Sequence, residues 1–251
     1  MPEWSGELLV AGCLRPWAER VVDVVRPLPG ERCLDVLSDG TALHSRLHSA
    51  VGDTGSVRVV GDDIAGLREH RGVIDVAVSL FGLAHAVDPA ATLAAMHASL
   101  RERGRLACVV WGGREGAAHE AALFDAVAHE TDVRLAFVSS AMALGEPGAA
   151  ESVVAAVEMR HQLRLRRLRD VVRFDGVDHL WAALVDERPD VSNALRDCTA
   201  EGLRAARRRC GRSLVDYAAA DDTLRIPVEA VLVACGPVVI PTAAQPLSVV
   251  R

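Results

Sequence analysis

Lysine is missing from this sequence: all 28 basic residues are arginine. That rules out a pyridoxal Schiff base, a lysine general base and a Walker-type phosphate loop. Aromatic residues are scarce at 4%, so a core has to be built from Ala, Val and Leu, and the 50% hydrophobic content allows one and argues against disorder. No uninterrupted apolar stretch reaches the ~18 residues of a membrane span. The N-terminus lacks the basic start and apolar run of a signal peptide. A soluble cytoplasmic protein without a membrane partner is predicted. A formal charge of −6 speaks against nucleic acid as a partner. Cys13, Cys33, Cys108, Cys198, Cys210 and Cys235 form no C-x-x-C pair. They read as small buried hydrophobes in a reducing compartment, with no metal site.

What is present suits one α/β domain, since 251 residues fit a single domain with at most a modest insertion. Trp17 to Val25 has helical spacing and stops at Pro27 and the Pro29-Gly30 turn signal. Arg32 to Val36 is a short strand with an acidic residue near its end, and Thr41 to Ala50 a helix capped by Asp39 or Thr41. Val57 to Val60 is a second strand. Ile74 to Ser79 is an apolar run of the kind covered on both faces of a sheet. Pro89 to Arg103 reads as a helix with Pro at its start and Gly104 past its end. Arg105 to Trp111 is another buried strand. This alternation predicts a mostly parallel sheet with right-handed crossovers. Further on, Ala117 to Glu130 is helical and Arg160 to Phe174 is a strand followed by a bend. Leu180 to Val185 and Asn193 to Arg209 are helices, and Thr223 to Cys235 is a final strand, antiparallel by its partial alternation.

Pro29-Gly30-Glu31-Arg32-Cys33-Leu34-Asp35-Val36 resembles the "PGERVLDV" entry to motif I of class I S-adenosylmethionine-dependent methyltransferases. Asp75 to Ser79 resembles the motif IV strand of that family, and Phe81 to His85 its loop. Met96 to Trp111 resembles its "M..vLrPGGrla..vW" helix and strand, with Glu102-Arg103 in place of Pro-Gly. Pro16 to Arg20 and Val171 to Ala182 also fit. The resemblance covers most of the chain in order. It implies a Rossmann-like methyltransferase fold, with residues 1–28 as a helical cover, 29–135 as the core sheet, and 136–251 as a helical lid and final strands.

Two departures qualify it. The family reads D-x-G-x-G-x-G after the first strand, where glycines let backbone amides approach the methionine end of the cofactor. Here Leu37, Asp39 and Thr41 stand at the glycine positions, and only Gly40 remains, out of register. A branched Leu and an extra carboxylate should obstruct the cofactor's amino-acid portion and repel its carboxylate. In addition, one strand–helix unit is missing between the two motifs. Asp62 or Asp63 aligns with one of two cofactor-binding acids, but not both. The resemblance therefore implies a degenerate cofactor site formed by Asp35, Gly40, Asp62, Asp63, Ser79 and Leu80. It implies that S-adenosylmethionine is not required or is weakly bound.

His85, just beyond the motif IV strand, is the candidate catalytic residue, as general base or hydrogen-bond donor. A capping or packing role is the alternative. His119 and His161 are weaker candidates. Trp17, Phe81 and Trp111 are candidate walls of a substrate pocket, and Trp4 also lies in the N-terminal cover; core packing is the competing reading. Arg204, Arg207, Arg208, Arg209 and Arg212 form a basic cluster, either a solvated face or a seat for an anionic substrate or carrier. The favoured reading is a small-molecule tailoring enzyme of secondary metabolism with non-methylating chemistry, such as cyclisation, isomerisation or elimination. The alternatives are an O-, N- or C-methyltransferase with an atypical cofactor site, and a non-catalytic methyltransferase-like partner protein. A homodimer is compatible with each.

Overall fold

In this computed structural model the described residues are 15–38, 42–61, 64–133, 142–157, 163–186 and 189–239. Helix α1 (Arg15–Val25) leads through a turn at Gly30 into β1 (Arg32–Val36). There follow α2 (Ala42–Val51), β2 (Ser56–Val60), the short α3 (Ile64–Arg68), β3 (Ile74–Leu80), α4 (Pro89–Ser99) and β4 (Leu100–Trp111). The second half holds α5 (Ala118–Glu130), α6 (Ala149–Ala155), β5 (Arg164–Phe174), α7 (Val177–Trp181), α8 (Pro189–Ala194), α9 (Ala200–Ser213) and β6 (Leu224–Cys235).

Six strands among the described residues form one sheet in the order β2-β1-β3-β4-β6-β5. β2, β1, β3 and β4 are parallel, while β6 runs antiparallel to both β4 and β5. Every residue of β3 is buried, as expected of a central parallel strand covered on both faces. One face carries Cys33, Val76, Val78, Leu80, Val109 and Trp111 against α1, α2, α5 and α9. The other carries Leu34, Val36, Ala77, Leu106, Cys108 and Val110 against α4 and Ala150 of α6. The fold is therefore α/β with a mixed, mostly parallel sheet.

Two predicted helices end differently. The helix from Pro89 stops at Ser99 rather than Arg103, because Leu100 already pairs with Ile74 in the sheet, ahead of a register shift. Gly104 permits this close approach: a Cβ there would lie 2.8 Å from Leu100 Cβ and 3.1 Å from the Ile74 carbonyl oxygen. The stretch Asn193–Arg209 is two helices rather than one. Thr199 opens α9, its hydroxyl accepting a hydrogen bond from Gly202 N at 3.0 Å.

The amino edge of the sheet is fastened by a buried ion pair. Arg105 donates from Nη1 to Glu31 Oε1 at 3.1 Å and from Nη2 to Oε2 at 2.5 Å. Its remaining donors reach the carbonyls of Val25 and Arg26. Burial by itself would raise the Glu31 pKa. The Arg105 hydrogen bonds, the Leu28 amide and the charges of Arg105 and Arg101 outweigh it and hold the carboxyl below its ordinary value. Asp75 belongs to this edge too, accepting from Arg32 N at 2.8 Å and pairing with Arg101 at 2.5 Å. Cys33, Cys108, Cys210 and Cys235 are buried thiols, as expected, and Cys198 is half-buried. Burial pushes the pKa of Cys33 and Cys210 up to about 12 and that of Cys235 to about 11. No helix among the described residues is long and apolar enough to cross a membrane.

Candidate functional site

The chain runs from β1 outward to β2 and then returns to β3 on the other side of β1, so the strand order reverses between β1 and β3. Open α/β sheets bind ligands outside the carboxyl ends of the strands at such a point. Asp35, Ser79, Leu80, Phe81 and His85 all lie at this edge. Gly40, Asp62 and Asp63, like Trp4 and His161, lie outside the described residues.

Asp35 pairs in register with Val78, so its side chain shares the face of Val78 and Leu80. Ser79, one residue on, points to the opposite face. The sheet thus separates the two polar side chains that the resemblance puts in one site. Asp35 is 2% exposed, and its Oδ1 has no hydrogen-bond partner among the described residues. Burial pushes its pKa up to about 6, against the opposing pull of the Ser38 hydrogen bond and nearby His44. Ser79 Oγ is likewise buried without a partner.

Ser38 ties the two strand ends together, its Oγ accepting a hydrogen bond from Leu80 N at 2.9 Å. Leu37 has φ 55° and Phe81 φ 62°, both in the left-handed region that favours glycine. In this pose the Leu37 carbonyl oxygen presses on Gly82, where a Cβ would lie only 1.5 Å away. Gly82 to His85 then form one 3-10 turn, and His85 stands half-buried at its end. The ends of β1 and β3 are thus in direct backbone contact at Leu37 and Gly82.

Trp17, Phe81 and Trp111 are brought together, all buried. Phe81 stacks on Trp111 with ring centroids 3.9 Å apart and planes 11° apart, and Trp17 meets both rings edge-on. Arg20 caps the cluster, its guanidinium 4.9 Å from the Trp17 ring and 2.6 Å from Asp170. On the far side of Trp111 sits His119, edge-on at 5.4 Å and fully buried. Neither of its ring nitrogens has a hydrogen-bond partner among the described residues. Burial pushes its pKa down to about 4. The sequence ranks His119 below His85, because its position depends on α5 folding back over β4. Among the described residues, no cluster of three or more His, Cys, Asp or Glu could hold a metal.

No family model matches this chain. No curated protein matches it either. Solved structures do. A protein designated a methyltransferase from an antibiotic biosynthesis pathway of Anabaena variabilis ATCC 29413 aligns over 89% of this chain and 98% of its own, at 8% identity and a TM-score of 0.54. A protein designated a methyltransferase from Bacillus halodurans C-125 aligns over 87% and 97%, at 12% identity and a TM-score of 0.50. The YcgJ protein of Bacillus subtilis aligns over 89% and 97%, at 9% identity and a TM-score of 0.50. The chain has a methyltransferase-like α/β fold, shared with these structures. At these identities the likeness concerns the fold alone.

Of the residues that the resemblance assigns to S-adenosylmethionine, Asp35, Ser79 and Leu80 are described. Asp35 offers a free carboxyl oxygen that could receive an ammonium group. Leu37 and Gly82 bring the two strand ends into backbone contact beside it.

Proposed function

We propose that this protein is a non-catalytic, methyltransferase-like protein whose switch-point crevice is closed to S-adenosylmethionine, and that it acts through binding. The contact of the Leu37 carbonyl with Gly82 carries this reading, because it occupies the place where an open α/β sheet receives its ligand. In this reading Trp17, Phe81 and Trp111 are core, and His85 closes a turn.

A second reading, an O-, N- or C-methyltransferase with an atypical cofactor site, has its own support. Asp35 Oδ1 is buried without a partner, and Leu37 keeps the left-handed turn that a glycine would form. Opening of the crevice would then place Asp35 and Leu80 beside the cofactor, with His85 as general base and the aromatic cluster as acceptor wall.

Calorimetric titration with S-adenosylmethionine and S-adenosylhomocysteine separates the two. Silence with both is expected. Micromolar binding of either would remove the first reading and establish the second.

A further inference from the structure

The arginine cluster of α9 lines a cleft that the methyltransferase resemblance does not account for. Val177 and Asp178 of α7 form one wall, Arg207, Arg208, Gly211 and Arg212 of α9 the other, and Val215 the rim, around about 780 Å³. That is enough for a compact organic ligand. Gly211 lets the two helices approach, since a Cβ there would meet Val177 Cγ2 at 3.0 Å. It also leaves the floor between them free of a side chain.

Charge in the cleft is unbalanced. Asp178 is paired with Arg207, which leaves both neutralised. Arg209, on the other side of the helix, pairs with Glu130 at 3.5 Å. Arg208 and Arg212 are exposed and form no ion pair among the described residues. They stand four residues apart on α9, on one side of the helix, so both guanidinium forks can converge on a single group. Two uncompensated positive charges match a phosphate monoester dianion, which guanidinium groups grip in bidentate fashion. Beside them lie Val177 and Val215, the latter an apolar side chain left 65% exposed at the cleft rim.

We propose that this cleft binds a phosphate monoester carrying a compact apolar group. Arg208 and Arg212 hold the phosphate, and Val177, Gly211 and Val215 receive the apolar part. The site is separate from the switch-point crevice, and the proposal does not rest on the reading given above for that crevice.

The test is a titration of the full chain with hexyl phosphate, followed by amide chemical shifts and by calorimetry. Hexanol and inorganic phosphate are titrated in parallel. Saturable binding of hexyl phosphate is expected, with shift changes at Val177, Gly211 and Val215 and weakening as salt rises. Hexanol and inorganic phosphate should each bind at least about ten-fold more weakly. The R208Q/R212Q variant changes only exposed side chains, and its fold is checked by thermal melting. It should lose at least about ten-fold in affinity for hexyl phosphate while melting with the parent. Absence of saturable binding, equal binding of hexanol, or unchanged affinity in R208Q/R212Q would each overturn the proposal.

Discussion

Leu37 and Phe81 take left-handed backbone conformations on neighbouring strand ends, at φ 55° and 62°, where the Leu37 carbonyl meets Gly82. Neither is glycine, so each stands in a backbone region that L side chains enter at a cost of roughly 1–2 kcal/mol. Such strain persists only where the surroundings impose it. Here the surroundings are the Ser38–Leu80 hydrogen bond and the aromatic cluster on which Phe81 stacks.

Substitution at Gly82 should test how tightly the edge is closed. A β-carbon there would lie 1.5 Å from the Leu37 carbonyl oxygen, so the loops must separate to admit it. Gly82→Ala is expected to lower stability by about 2–3 kcal/mol in chemical denaturation. Leu37→Gly should cost far less than a usual large-to-small change, because release of left-handed strain offsets the lost burial.

The buried ion pair between Glu31 and Arg105 should dominate acid sensitivity at the amino edge. The folded-state pKa of Glu31 is depressed, so its contribution is present above the ordinary carboxylate range. It is lost as pH falls through the folded value. Glu31→Gln leaves Arg105 buried without its counter-charge, and a loss of about 3–5 kcal/mol at neutral pH is expected. Denaturant midpoints of parent and variant should converge as the pH is lowered.

Asp35 should act in the opposite sense. Its folded pKa, about 6, lies above the ordinary value of 3.8, so the folded state resists ionisation. Stability from this group is greatest below pH 4 and declines as pH rises from about 4 to 6. At about 1.4 kcal/mol per unit the total is on the order of 3 kcal/mol. Asp35→Asn should therefore melt above the parent at pH 8, and the gap should close near pH 4.

His119 offers a further pH signature. Its folded pKa is about 4 against an ordinary 6.5, so the unfolded chain takes up a proton that the folded protein refuses. Stability should fall as pH drops from 6.5 to about 4. His119→Phe removes that dependence and two unpartnered ring nitrogens. It is expected to be neutral or stabilising at pH 5 by thermal melting.

The order of the strands from Arg32 to Trp111 was legible because parallel strands buried on both faces are written as apolar runs, whereas the short α3 was not. β3, with the sequence IDVAVSL, is such a run and is buried throughout. Helix ends were less legible. Leu100–Arg103 has a helical pattern but joins the sheet, since pairing with Ile74 is a contact between residues distant in sequence.

By itself, then, the sequence determined an α/β chain with a mostly parallel sheet, buried thiols and no glycine at position 37. Tertiary structure alone decided the state of the strand ends. Asp35 and Ser79 fall on opposite faces because of strand alternation and pairing register, and Leu37 meets Gly82 because two loops 45 residues apart share one edge. Periodicity records which side of its own element a residue occupies. What stands opposite that residue is set by how the elements pack.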